Sequence, residues 1–74
     1  MATGSVTLDL DAIAAGAAPL GWTVGGKSAD VLRLIRLADR SWVTVERDGW
    51  IAMDANWAVV GPLYRIIEQH KTEG

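Results

Sequence analysis

The sequence predicts a small α+β domain in which two or three helices accompany a short antiparallel β-hairpin. Three observations predict it. Apolar residues recur at helical spacing from Leu10 to Ala17 and again from Leu63 to Ile67. Asp48-Gly49 lies between two β-rich runs, the strongest short-range hairpin signal. The chain has 74 residues, 50% of them hydrophobic, which suffices for one small core. Residues 1–74 therefore read as a single domain, with 1–4 and 72–74 expected to lack structure.

"SVTL" (5–8) alternates and reads as a short strand. Asp9 is placed to cap the helix that follows, whose Leu10, Ile13, Ala14 and Ala17 share one face. Pro19 lies just past its end, and Gly16 lets another element approach closely. "PLGWTVGGK" (19–27) holds a proline and three glycines and reads as a loop. Ser28 can then cap a helix over 29–40, in which Val31, Leu34, Ile35 and Ala38 share a face. On that helix Arg33, Arg36 and Arg40 fall within an arc of roughly 60°. The hairpin follows, a type I′ turn at Asp48-Gly49 pairing Arg47 with Trp50, Val45 with Ala52 and Val43 with Asp54. Pro62 belongs in the first turn of the last helix, since a proline in a helix interior costs about 3 kcal/mol. Leu63, Ile66 and Ile67 face the core from it, and His70 is a solvated or capping residue at its end.

Residues 21–28, "GWTVGGKS", match the nucleotide-binding pattern G-x-x-x-x-G-K-[ST] at Gly21, Gly26, Lys27 and Ser28. That pattern works where a glycine-rich loop joins a parallel strand to a helix, in βαβ units of about 30 or more residues. Only 26 residues separate Lys27 from Asp54, the one aspartate that ends a hydrophobic strand, and the hairpin between them is antiparallel. The match is therefore read as accidental. What survives is a single-anion site at Lys27 and Ser28, against the plainer reading of a loop with a helix cap.

Composition bounds the rest. There is no cysteine and a single histidine, so neither a thiolate nor a histidine metal site is expected, and no cofactor. Asp9, Asp11, Asp30, Asp39, Asp48 and Asp54 form no catalytic motif, so a non-enzymatic role is expected, with no catalytic residue. The net charge of -2 argues against bulk attraction to nucleic acid, but residues 27–47 hold five of the seven basic residues against three acids. No export or membrane segment is visible, so a cytoplasmic protein is expected. Four tryptophans with no phenylalanine are many for so small a core, so one or two are expected to stay partly exposed, and tryptophan is enriched at binding surfaces.

"VTLDLDAIAAGAA" as strand and supporting helix, with "ADVLRLIRLADRSWVTVERDGWIAMD" as recognition helix and wing, resembles a winged helix-turn-helix domain over residues 6–54. The resemblance implies a small DNA-binding regulator in which Arg33, Arg36 and Arg40 face a duplex. Arg47 would sit on the wing, and Lys27 and Ser28 would meet a phosphate. A protein-binding module or small inhibitor is the alternative, acting through Trp22, Trp42, Trp50 and Trp57 and an acidic surface, with a homodimer as a further option. "SWVTVERDGWIAMDANW" also resembles the closing hairpin of bacterial SH3-like domains, which implies a barrel that binds peptide or cell-wall material. That barrel needs residues 31–38 to be a strand.

Overall fold

A computed structural model of the chain describes residues 6–73, the side chain of Glu73 excepted. The elements are β1 (Val6–Leu8), α1 (Leu10–Ala17), a 3-10 turn (Ala18–Leu20), β2 (Trp22–Lys27), β3 (Val31–Arg36), β4 (Trp42–Glu46), β5 (Ile51–Met53), α2 (Trp57–Gln69) and β6 (Lys71–Glu73). Strands β2, β3, β4 and β5 form an antiparallel four-stranded meander in that order, and β1 pairs separately with β6. The α+β class is as the sequence predicts, but the sheets far exceed a hairpin.

The first elements follow their local chemistry. The Asp9 carboxylate accepts from the Ala12 N–H at 3.2 Å, an N-cap that starts α1. Leu10, Ile13 and Ala17 are buried, as their spacing predicts. Residues 72–73 are ordered in β6, against the expectation for that end, whereas 1–4 and 74 lie outside the described residues.

Two segments correct the sequence reading. Residues 22–27 form β2 instead of a loop, anchored by the buried Trp22, and Gly25 sits at the register shift between Val24 and Gly26. A Cβ at Gly25 would press into Ile35, at 2.8 Å from its Cγ1, so the glycine gives that side chain room. Residues 31–36 form β3 instead of a helix. Leu32 and Leu34 point into the core and are fully buried, while Val31, Arg33 and Ile35 take the other face. Because Val31 and Ile35 are also apolar, the alternation was masked, and the remaining pattern happened to fit helical spacing.

The hairpin is present with a different turn. Val45 pairs with Ile51, Thr44 with Ala52 and Val43 with Met53, one residue away from the predicted register. Among the described residues of this turn only Gly49 has positive φ, at 101°, so a type I′ turn does not form. Its N–H donates to the Glu46 carbonyl at 2.9 Å, and the Glu46 N–H donates to Trp50 at 2.8 Å, which closes a three-residue loop with glycine at the left-handed position. The one-residue difference decides which face is buried. Val43, Val45, Ile51 and Met53 now share the core side.

Helix α2 begins five residues before Pro62, capped by Asn56, whose side chain accepts from the Val59 N–H at 3.2 Å. Pro62 is therefore interior to the helix, contrary to expectation, and has no N–H to give the Ala58 carbonyl. It lies on the exposed side, where that carbonyl can bond water. Pro62→Ala is expected to stabilise the domain by about 1–2 kcal/mol, the restored helix bond being partly offset by a freer unfolded chain. A thermal melt with no rise in midpoint would count against the interior placement.

Leu10, Ile13 and Ala17 of α1 and Val60, Leu63 and Ile67 of α2 share one cluster with Trp22, Leu32, Leu34, Val43 and Val45 of the sheet. Both helices thus cover the same face of the meander. No described residue of the opposite face is buried, and no described element lies across it.

Candidate functional site

The basic residues singled out by the sequence do not form one stripe. Arg33 is on the uncovered face of β3, whereas Arg36 has the opposite parity, at the strand end beside Trp22. Arg36 Nη1 lies 3.1 Å from the Asp39 carboxylate. Arg40 is in the β3–β4 turn with φ of 62°. Asp39 organises that turn: its carboxylate accepts from the Ser41 N–H at 3.0 Å and from Arg36. The Ser41 bonds, with the nearby Arg36 charge, hold the exposed Asp39 carboxyl below its ordinary pKa.

Arg47 is at the hairpin tip, but its backbone is fastened to the body. Its N–H donates to the Asp30 carbonyl at 2.7 Å, and its carbonyl accepts from Leu8 at 2.8 Å. Its Nε lies 3.6 Å from the Asp30 carboxylate. Lys27 Nζ lies 2.6 Å from Asp11, and Ser28 is in the β2–β3 turn, its N–H donating to Val31. No helix starts at Ser28, so the dipole that an anion site there requires is missing. The G-x-x-x-x-G-K-S stretch is an edge strand and the turn after it.

Two open grooves of about 440 Å³ each flank Arg47. Asp9, Asp11, Asp30, Glu46 and Asp48 line them against Lys27 and Arg47 alone, an excess of negative charge that disfavours an anionic ligand. Among the described residues no three His, Asp or Glu side chains gather into a metal-holding group. No helix among them is long and apolar enough to cross a membrane.

The tryptophans divide. Trp22 is 3% exposed and belongs to the core, which removes it from any binding surface. Trp57 is exposed on α2 and meets Tyr64 edge to face, with ring centroids 5.6 Å apart. Trp42 and Trp50 belong to the uncovered face of the meander. Trp42 is directly opposite Ile35, Thr44 lies between Arg33 and Ala52, and Glu46 is opposite Val31. Trp50, 59% exposed, follows on the same side of the hairpin at the β5 end. The Arg33 guanidinium stacks over the Trp42 ring, 5.0 Å from its centroid.

This face carries Val31, Ile35, Trp42 and Ala52, all half-buried, with Trp50 open to solvent. The sequence reading found its tryptophans but missed Val31, Ile35, Thr44 and Ala52. The alternation of Trp42, Thr44 and Glu46 with Val43 and Val45 was the available signal, and a three-residue loop would have exposed it. Set against models of known protein families, curated proteins and solved structures, the chain matches none of them.

Proposed function

We propose that this protein is a non-catalytic protein-binding module that docks its partner on the uncovered face of the β2–β5 sheet. One observation carries the reading. An antiparallel sheet covered on one side normally turns polar residues to water on the other, whereas this one turns out two tryptophans, two β-branched aliphatics and an alanine. Tryptophan and arginine are the side chains that most often dominate binding energy at protein interfaces, and Trp42, Trp50 and Arg33 are grouped here. Trp57 lies on a helix of the covered side and takes no part.

The DNA reading, with its winged-helix arrangement, draws less support. It needs a recognition helix bearing Arg33, Arg36 and Arg40, and residues 31–36 are a strand. Of the six residues that reading assigns to DNA, Arg36, Arg47 and Lys27 sit against aspartates. The SH3-like reading gains a strand at 31–36, but the outer strands β2 and β5 are not paired with each other, so the sheet is open.

Site-specific photocross-linking tests the docking face. A benzophenone side chain in place of Thr44, at the middle of the face, should give covalent protein adducts on irradiation of cells expressing the chain. The same group in place of Arg65, exposed on α2, should give none. Adducts from position 65 alone, or from neither, would overturn the proposal.

A further inference from the structure

The uncovered face carries Arg33 and Glu46 on its two central strands, with Asp54 just past β5 at its rim, where its N–H donates to the Trp42 carbonyl. Arg33 on β3 is opposite Thr44, so it stands diagonal to both Trp42 and Glu46 of β4. Diagonal neighbours on one sheet face are about 7–8 Å apart, within reach of an arginine. The guanidinium nevertheless takes the Trp42 ring and turns away from the carboxylate. Arg33 and Glu46 are consequently left without an ionic partner among the described residues, in contrast to Lys27, Arg36 and Arg47.

One cation and one anion, flanking the middle of an apolar face on its two central strands, form a self-complementary pattern. A twofold axis in the plane of an interface, passing midway between them, brings Arg33 of each copy against Glu46 of the other. Closed twofold dimers require this self-complementarity, in which residue i meets j and j meets i. The same operation stacks the two sheets face to face, about 10 Å apart, and places the tryptophans and aliphatics of both copies between them. We infer that the partner of this face is a second copy of the same chain, joined by reciprocal Arg33–Glu46 ion pairs around a core of Trp42, Ile35 and Val31. The inference rests on the docking face proposed above and names its occupant.

Charge reversal tests it on the purified full chain. Sedimentation equilibrium of the wild type, from micromolar to millimolar, should show a monomer–dimer equilibrium. Arg33→Glu places like charges together twice per dimer, as does Glu46→Arg, and each should weaken self-association by about tenfold or more. Mixing R33E with E46R should restore dimers, because every cross-pair is again of opposite sign, and the double variant R33E/E46R should self-associate like the wild type. Circular dichroism checks folding; if a reversal unfolds, Arg33→Gln and Glu46→Gln carry the same comparison. A wild type that is monomeric throughout would overturn this inference, as would a dimer insensitive to both reversals. In either case a cross-link from position 44 to a different protein would leave the docking face standing, whereas absence of any adduct there would remove both.

Discussion

Leu32→Ala is expected to destabilise the domain by about 2–5 kcal/mol, measured as a loss in urea-unfolding free energy. Leu32 is fully buried on β3, between Lys27 of β2 and Val45 of β4, in the layer that receives both helices. Truncation removes its buried methyl groups and leaves a cavity that the flanking strands cannot close without breaking their register. A domain of this size is stable by roughly 4–11 kcal/mol, so the variant should be partly or largely unfolded at physiological temperature. The comparison with Leu37→Ala makes the test sharp. Leu37 is 69% exposed in the β3–β4 turn and should lose less than about 0.5 kcal/mol. In a helix over 29–40, Leu32 would lie off the face shared by Val31, Leu34, Ile35 and Ala38. A mild effect at Leu32 would therefore restore the helix and remove the sheet face with it.

Gly16→Leu is the second large effect, expected to cost about 1–3 kcal/mol through overpacking. A Cβ at Gly16 would lie 2.7 Å from Ile66 Cγ2, an atom fixed by branching at its own Cβ and unable to swing away alone. The two helices would have to separate, which opens the layer formed by Ile13, Leu63 and Ile67. Gly61→Ala provides the control on the partner helix. Nothing lies within 4 Å of a Cβ there, so the gain in helix propensity, up to about 1 kcal/mol, should appear unopposed. Equal thermal midpoints for Gly16→Leu and the wild type would show that α1 and α2 do not meet at this point.

Local chemistry was legible wherever one signal acted alone. Asp9 capped α1, Asp48-Gly49 turned a hairpin, and Gly16 marked a close approach, all readable in the residues themselves. The errors fall where a second requirement competed. Val31 and Ile35 are apolar although they lie on the uncovered face, and they hid the alternation that buries Leu32 and Leu34. The glycines of β2 read as a loop because their function, admitting Ile35 beside a bulge, depends on a neighbouring strand. Pro62 read as a helix start because tertiary burial of Val60, Leu63 and Ile67 outweighs its local cost. The candidate site was accordingly half legible. Its tryptophans were visible from composition, but its aliphatic floor and the Arg33–Glu46 pattern required the register of three strands.

The pairing of β1 with β6 also orders the assembly of the fold in time. Val6 meets Glu73 across nearly the whole described chain, whereas each pairing within the meander joins strands that follow one another directly. Local pairings close with little loop entropy and form first, and distant ones wait for a scaffold. That scaffold includes the Leu8 bond to Arg47 and the Asp9 bond to His70, both made only once the hairpin tip and the end of α2 are in place. The β1–β6 seam is therefore expected to zip after the meander.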